Sequence, residues 1–255
     1  MKLTVLGCSG GIGGAKARTT AFLVDDDVLV DCGTGVGDLE LDALKQIDHI
    51  FITHPHLDHI ASIPLLVDSV GDERGYPVTV YATLETLRIL RSHIFNWLVW
   101  PDFTSIPDRH RPFLRFQPMK LGESVKLGGR TLTAMPAHHT VPAVSYCIDS
   151  GNAQLLYSGD TAYCPELIAA INGLPELRHL IIETAFPDEQ RGLAMASRHL
   201  CPSMLVAMLD ELTVSPEVYI SHLKPGLGER IMEQIESYSA RLRPVPLVQG
   251  QIIEF

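Results

Sequence analysis

The chain has 255 residues, of which 46% are hydrophobic, so it can bury a substantial core and does not have the composition of a disordered protein. Its formal net charge of −10 argues against a general nucleic-acid binder, because such a protein needs a basic surface to displace counterions from phosphates. We expect a single α/β domain that spans residues 1–255.

The sequence favours a cytoplasmic protein without a membrane segment. Its five cysteines are scattered with no C-x-x-C pair, which predicts reduced thiols and not a disulfide framework. The N-terminus enters a strand pattern directly, with no apolar signal-peptide region ahead of a cleavage site. No apolar run reaches the roughly 18 residues that a transmembrane helix needs.

The first elements are short apolar strands separated by glycine-rich turns. The glycine cluster Gly10–Gly14 does not keep the G-x-G-x-x-G spacing of a dinucleotide loop, so we interpret it as a mobile loop at the rim of a site. Strands are predicted at Leu3–Leu6, Thr20–Val24, Asp27–Val30 and His49–Thr53.

The next segment predicts two helices. Residues Ile60–Val70 follow a helical repeat, with Pro64 near the start. Thr83 is a typical N-cap for a helix that begins at Leu84, and we expect this helix to end at Trp100–Phe103. The predicted apolar face of this second helix comprises Leu84, Leu87, Leu90, Ile94 and Leu98.

The second half of the chain repeats the strand-rich character and then alternates helices with strands. Two such halves with helices at their ends predict a sandwich of sheets with helices outside. Predicted strands from the middle of the chain onward are Val78–Tyr81, Leu114–Phe116, Thr131–Met135, Val144–Ile148, Gln154–Tyr157, His179–Ile182 and Val218–Ser221. Predicted helices are Pro165–Ile171, Cys201–Leu212 and Gly228–Tyr238.

One stretch, His54–His59, has four metal-binding side chains within six residues as H-x-H-x-D-H. It follows a predicted strand, so its side chains belong to a loop held by a rigid scaffold. The histidines His54 and His56 can point at one ion, whereas Asp58 and His59 can serve a second ion beside it. Imidazole and carboxylate together suit zinc and similar divalent metals.

Three later positions offer further ligands, each just after a predicted strand. They are the His138-His139 pair, Asp160 and His222. Taken singly, Asp160 is typical of a turn and His222 of a strand end. Their order along the chain, together with the His54–His59 stretch, favours a site for two ions bridged by one carboxylate.

The order H-x-H-x-D-H, a later His, G-D-T and a final His resembles the metallo-β-lactamase superfamily over nearly the whole chain. The resemblance implies an αββα sandwich of two mixed sheets, with the site at one edge. It favours His139 over His138, which stays an open alternative, and it implies two divalent ions, zinc or else manganese or iron. The implied ligands are His54, His56 and His139 for one ion, Asp58, His59 and His222 for the other, and Asp160 as the bridge.

A finer resemblance, to the class II cyclic-nucleotide phosphodiesterases, implies hydrolysis of cyclic AMP or cyclic GMP to the 5′-monophosphate. The expected partner is then this small molecule, with neither a membrane nor a nucleic acid, and a homodimer stays open. A tRNA 3′-end endonuclease is the nearest alternative, and a non-catalytic metal-binding member of the fold is another. The stretches that carry the resemblance are His54–Ile60, His93–Asp102, Glu183–Pro187 with Arg198–Pro202, and Ser221–Pro225.

Phosphodiester hydrolysis also needs a proton donor for the leaving ribose oxygen. His199 is our candidate, with Glu183 beside it, because a carboxylate raises the pKa of a neighbouring histidine. We count Asp58 among the catalytic residues as well as among the ligands. A plain helix N-terminal histidine is the alternative interpretation of His199. The aromatic string from Phe95 to Phe103 is interpreted as core or interface, with a pocket lining as the alternative.

Overall fold

The protein is described here by a computed structural model that covers residues 1–238 and 241–255. Two seven-stranded sheets are formed within these ranges, and each is antiparallel at one end and parallel at the other. The first sheet contains, in spatial order, β14 (Ile252–Glu254), β1 (Lys2–Gly7), β2 (Ala21–Val24), β3 (Val28–Val30), β4 (His49–Phe51), β5 (Val78–Ala82) and β6 (Leu114–Pro118). The second contains β13 (Val245–Pro246), β12 (Glu217–Ser221), β11 (Leu177–Glu183), β10 (Gln154–Tyr157), β9 (Val144–Asp149), β8 (Arg130–Pro136) and β7 (Ser124–Leu127).

The helices lie outside the two sheets. They are α1 (Leu41–Leu44), α2 (Leu57–Ile60), α3 (Ile63–Val70), α4 (Leu84–Ile89), α5 (Pro165–Asn172), α6 (Arg191–Ser197), α7 (Pro202–Asp210) and α8 (Gly228–Ser237). Among the described residues no single helix is long and apolar enough to cross a bilayer. One bent pair, Asp188–Ser197 with Pro202–Asp210, passes by length and composition together, at an angle of 76°.

Three buried apolar clusters define the layers. The central cluster joins the inner faces of the sheets, where Phe51 stacks on Tyr81 at 4.5 Å between ring centroids and Phe22 meets Tyr157 edge to face. A second cluster packs the first sheet against α3 and α4, and a third packs the other sheet against α5, α7 and α8. The predicted αββα sandwich of two mixed sheets is therefore confirmed.

Strand direction brings several strand ends to one edge of the sandwich. In the first sheet β3 and β4 are parallel, and in the second β10, β11 and β12 are parallel. Strand β8 points the same way as β10, because each is antiparallel to β9 between them. Residues that directly follow these six strands can therefore meet at one place.

The helix predicted over Ile60–Val70 is wrong as a continuous element, since α2 ends at Ile60 and α3 begins at Ile63. The break has a local cause. The carbonyl of His59 accepts the N–H of Cys32 at 2.7 Å, and the N–H of Ser62 donates to the Cys32 carbonyl at 2.9 Å. These bonds pair the backbone between α2 and α3 with the segment that follows β3, so it does not continue the helix. Pro64 then lies in the first turn of α3, where its missing N–H costs no helical bond.

The helix predicted from Leu84 is right at its start and wrong at its end. The Thr83 hydroxyl accepts the N–H of Thr86, as the N-cap prediction required. The helix then continues as a π-helical turn over Leu90–Ile94 and stops at Phe95, well before Trp100. Because the helix stops there, Leu98 lies beyond it and is 90% exposed, while Leu84 in the first turn is 44% exposed.

Two aromatic residues of the following segment pack inside the molecule. Phe95 and Phe103 belong to the cluster between the first sheet and its helices, as the core interpretation predicted. Trp97, in contrast, is 63% exposed and lies outside the buried apolar clusters of the described residues.

Candidate metal centre

Polar side chains at or just after the ends of six strands lie at the same edge of the sandwich. The segment after β4 supplies the four groups of His54–His59, and β8 and β10 are followed by His139 and Asp160. Strand β12 is followed directly by His222, β11 ends at Glu183, and β3 is followed by Asp31. The site is therefore built from loops and strand ends of both sheets.

The first ligand group consists of His54, His56 and His139. The Nδ1 atom of His56 lies 3.2 Å from the Nε2 atom of His139. Both His54 Nε2 and His139 Nε2 face the Oδ2 atom of Asp160, at 3.6 Å and 4.0 Å. With Asp160 the three histidines place one ligand atom each within 4.8 Å of one another.

The second ligand group consists of Asp58, His59 and His222 and faces the other oxygen of the same carboxylate. Asp160 Oδ1 lies 3.4 Å from His59 Nε2 and 3.3 Å from His222 Nδ1. The Oδ2 atom of Asp58 is 3.8 Å from an Nε2 atom of each histidine. Asp160 thus lies between the two groups, and all seven predicted ligands come together.

The choice between the adjacent histidines is resolved in space. His139 is buried within the cluster, whereas the side chain of His138 is exposed. The backbone of His138 is occupied elsewhere, because its N–H donates to the Thr161 hydroxyl and its carbonyl accepts the N–H of Ala162. His138 therefore serves the loop that carries Asp160.

These residues fit divalent metal ions by a simple polar accounting. Within the described chain, buried nitrogen or oxygen atoms of His54, His59, Asp160 and His222 have no hydrogen-bond partner. A buried polar atom without a partner costs about 1–3 kcal/mol, so four such residues in one cluster need an explanation. A metal ion in each ligand group would engage one of these atoms in each residue, and the imidazole–carboxylate donor set suits zinc and similar metals.

The protonation of three of the histidines suits the same role, whereas the pKa of His59, which burial lowers, is raised well above its ordinary value by Asp160 and Asp31. Burial lowers the pKa of His139 to about 4 and of His222 to about 3, and it holds the pKa of His54 well below its ordinary value. These imidazoles are therefore neutral at pH 7, which is the form that binds metal. Burial would raise the pKa of Asp160, but the neighbouring histidines, His222 first, hold it well below its usual range.

Asp31 is a further residue of the site, which sequence reasoning missed. It is fully buried, and its Oδ2 atom accepts a hydrogen bond from His59 Nδ1 at 2.7 Å. The Thr53 hydroxyl also donates to Asp31 and accepts from His54 Nδ1 at 3.0 Å. A carboxylate behind a ligating histidine fixes its tautomer and orientation. Its position directly after a predicted strand was the available signal.

The predicted pair of Glu183 and His199 forms next to the ligand groups. His199 Nδ1 donates to Glu183 Oε1 at 2.7 Å, and the same carboxylate accepts the N–H of Thr161 at 3.1 Å and of Leu200 at 3.2 Å. Burial by itself lowers the pKa of His199, but the Glu183 carboxylate raises it above its ordinary value. The ring of His199 lies 5.0 Å from that of His139 between centroids.

Unusual backbone conformations are concentrated at this edge. Of the five described non-glycine residues with positive φ, three are Asp31 (57°), Arg198 (54°) and His222 (60°). Such strain persists where the surrounding structure over-determines it, as at functional sites. The backbone of His222 is also closely packed, because a Cβ at Gly10 would lie 2.4 Å from the His222 carbonyl oxygen. The Gly10–Gly14 loop thus packs on a ligand.

Several basic residues that could contact a phosphate lie apart from the ligand groups or have other partners. Arg109 and Arg111 are exposed on a loop ahead of β6. The ammonium group of Lys224 donates to the Gly10 carbonyl at 2.6 Å and lies 5.9 Å from the ring centroid of Phe186.

A sequence profile described as the β-lactamase superfamily domain matches residues 27–224 of the chain. The chain belongs to this superfamily. The predicted membership is confirmed. The buried histidine and aspartate clusters suit a metal site.

Two related sequences and one solved structure give the finer similarities. The chain is 30% identical over 211 residues to a probable 3′,5′-cyclic-nucleotide phosphodiesterase of Yersinia pestis, covering 72% of this chain and 59% of that protein. It is 31% identical over 155 residues to a ribonuclease Z of Archaeoglobus fulgidus, covering 58% of this chain and 47% of that protein. It therefore spans only about half to three fifths of these relatives.

The crystal structure of unliganded yeast PDE1 has a TM-score of 0.82 and 19% identity to the chain, and the match covers 100% of this chain and 99% of that chain. At this identity the likeness shows a shared fold. The resemblance to cyclic-nucleotide phosphodiesterases expected from the motifs is confirmed as a resemblance.

Proposed function

We propose that the protein is a metal-dependent phosphodiesterase that hydrolyses a 3′,5′-cyclic nucleotide to the 5′-monophosphate. The observation that carries this proposal is the hydrogen-bonded pair His199 and Glu183, 2.7 Å apart, beside two ligand groups that share Asp160. A hydrolytic metal centre with an adjacent proton donor matches the needs of a phosphodiester whose leaving group is a poor one.

In this proposal one divalent ion would be held by His54, His56 and His139 and the other by Asp58, His59 and His222, and both groups would share Asp160. When bound, the ions supply an activated water and charge neutralisation at the phosphoryl oxygens. We propose zinc as the native metal, with manganese and iron as the alternatives, because nitrogen and oxygen ligands accept all three.

The chain's own part in the reaction is the handling of protons. Attack of water on phosphorus breaks the bond to the 3′ oxygen, which leaves as an alkoxide unless it gains a proton. His199 donates that proton from its Nε2 atom, and Glu183 stabilises the resulting charge change through Nδ1. General acid catalysis of this kind contributes about 10²- to 10⁴-fold.

In this scheme Asp58 accepts the proton that the attacking water loses. Its side chain is 28% exposed, against 2% or less for its partners His59, His222 and Asp160, so it is the ligand that solvent reaches most easily. The attacking water loses a proton as the new phosphorus–oxygen bond forms, and the Asp58 carboxylate can accept it. The same residue therefore belongs to both the ligand set and the catalytic set.

A ribonuclease that trims tRNA 3′ ends is the second candidate, and the 31% identity to a ribonuclease Z supports it. Such an enzyme would use the same metal ligands and the same proton donor. The net charge of −10 counts against it, because a long phosphate backbone favours a basic surface and a small cyclic nucleotide does not require one.

The test is a turnover panel with cyclic AMP, cyclic GMP and a pre-tRNA, each with zinc, manganese or iron added to metal-free protein. We expect hydrolysis of a cyclic nucleotide and formation of the 5′-monophosphate only. Trimming of pre-tRNA with no cyclic-nucleotide hydrolysis would reject the proposal in favour of the ribonuclease. Failure on all three substrates with two ions bound would favour a non-catalytic member of the fold.

A further inference from the structure

Arg198 makes two reciprocal hydrogen bonds with a metal-ligand candidate that is 59 residues away in sequence. Its backbone carbonyl accepts from His139 Nδ1 at 3.0 Å. Its guanidinium Nη1 donates to the backbone carbonyl of His139 at 2.6 Å. The first bond fixes which nitrogen of the imidazole carries the proton, and the second fixes the backbone from which the ring projects.

The conformation of Arg198 is unusual for an arginine. It caps α6 in the left-handed region, with φ 54° and ψ 51°. Helices commonly end with a residue in this conformation, but that residue is usually glycine, since a Cβ is disfavoured there. The backbone bond to His139 Nδ1 needs no side chain at position 198. The guanidinium is therefore the part of the residue that a glycine could not replace.

The two residues after Arg198 are held from the opposite side. Glu183 accepts from His199 Nδ1 at 2.7 Å and from the Leu200 N–H at 3.2 Å. The segment from Arg198 to Leu200 is thus clamped between the metal-ligand candidate His139 and the carboxylate that orients the proton donor. A shift of Arg198 would move both the imidazole of His139 and the ring of His199.

We propose that Arg198 is a positioning residue that fixes His139 toward the first ion and couples binding of that ion to the placement of His199. The inference rests on the proposed function only in its second half, since metal binding by His139 does not depend on the substrate. Partners behind a ligating histidine typically change metal affinity about 10- to 100-fold. Arg198 is exposed, so we expect the lower end of that range for its guanidinium.

The decisive variant is Arg198→Gly, which removes the guanidinium and keeps the backbone carbonyl and the left-handed conformation. Zinc dissociation constants would be measured by competition with a chromophoric chelator, alongside thermal melting of the metal-free protein. We expect one dissociation constant to rise about tenfold while the other stays unchanged. The metal-free protein should melt at the same temperature or higher, because glycine relieves the strain.

Two further variants control this result. Arg198→Lys keeps a cationic donor and should recover part of the lost affinity. Arg191→Ala removes an exposed arginine at the other end of α6, whose Nη1 atom donates to the Ser203 hydroxyl at 3.3 Å, and should leave both zinc constants unchanged. Unchanged zinc binding in Arg198→Gly would overturn the inference. So would an equal loss at both ions together with a lower melting temperature.

Activity separates this inference from the proposed function. With both ions saturated, Arg198→Gly should still lower kcat on a cyclic nucleotide, because the guanidinium bond that ties the segment carrying His199 to His139 is lost. If wild type and variants hydrolyse no cyclic nucleotide but the zinc constant still shifts, the proposed function fails and the role of Arg198 in positioning His139 stands.

Discussion

The two ligand groups of the candidate metal centre are supported in different ways. In the second group, His59 donates directly to the buried carboxylate of Asp31 at 2.7 Å. In the first group, His54 reaches Asp31 only through the Thr53 hydroxyl, and His139 donates to a backbone carbonyl. A charged acceptor strengthens the basicity of a ligating imidazole more than a neutral one does.

The groups also differ in charge. Counting the shared Asp160, the second group contains two carboxylates and the first contains one. A divalent cation is therefore held by more negative charge in the second group. Two sites that share one bridging residue therefore need not be equivalent, and we expect the first group, with neutral supports, to bind its ion more weakly.

The largest effect should come from removing Asp160, the carboxylate that the two ligand groups share. Asp160→Ala deletes the carboxylate whose Oδ1 and Oδ2 face the two groups, so both ions should be lost. We expect activity on the substrate to fall by about 10³-fold or more, which corresponds to about 4 kcal/mol of transition-state stabilisation. Metal analysis should find less than one ion per chain. His222→Ala should loosen mainly one ion, and His138→Ala, at an exposed position, should change neither.

The next largest effect should come from removing His199, a change that should leave both ions bound. The ring of His199 lies 5.0 Å from that of His139 and 5.1 Å from that of His222, so it touches both groups without belonging to either. His199→Ala should slow cyclic-nucleotide hydrolysis by about 10²- to 10⁴-fold. Bis(p-nitrophenyl) phosphate has a leaving group that is stable as the anion, so its hydrolysis should slow far less. Equal losses on both substrates, or loss of metal, would remove His199 from the role of acid.

The same assignment predicts a pH dependence. The proton donor must be protonated, and Glu183 raises the pKa of His199 against the opposing effect of burial. Wild-type activity on the cyclic nucleotide should therefore persist above the ordinary histidine pKa of about 6.5 and fall as the pH rises through the elevated value. Glu183→Gln removes the raising charge, so the fall should move to lower pH. A profile that does not move would separate Glu183 from the proton donor.

A smaller effect should distinguish the supports of the two groups. Asp31→Asn keeps the shape and the left-handed conformation but removes the charge behind His59, so the ion of the second group should bind about 10- to 100-fold more weakly. Asp25→Asn is a matched control, because Asp25 also has a positive φ, of 51°, and lies outside the ligand groups. Equal weakening in both variants, measured by chelator competition, would contradict the role of Asp31.

The smallest effect should fall on the first group alone. Thr53→Val removes the hydroxyl that links Asp31 to His54, while the direct bond from His59 to Asp31 stays. One neutral hydrogen bond is worth about 1 kcal/mol, so the ion of the first group should bind roughly fivefold more weakly. Thr133→Val, which removes an exposed hydroxyl paired with Ser124, should not change either ion. A larger loss at the second ion would reverse the proposed pairing of supports and groups.

Much of the fold was predictable because its signals are local. The strand Gln154–Tyr157 has the predicted bounds, and the Thr83 cap lies where its side chain can reach the N–H three residues on. The break between α2 and α3 was not predictable, since its cause is the hydrogen bonding of His59 and Ser62 to Cys32, a residue of the segment that follows β3. Helix α6 and strands β7, β13 and β14 were missed because they are short and carry weak apolar patterns.

The ligand types and their grouping could be predicted from the sequence, because His54, His56, Asp58 and His59 lie within six residues that follow a strand. The partners that orient these ligands depend instead on how the two sheets pack. The bond from His59 to Asp31 joins residues 28 positions apart, and the bond from His139 to Arg198 joins residues 59 positions apart. The burial of His139, and not of His138, depends on which way their loop turns. Local patterns report neighbours along the chain, whereas hydrogen bonds between distant strand ends exist only after the sheets have packed.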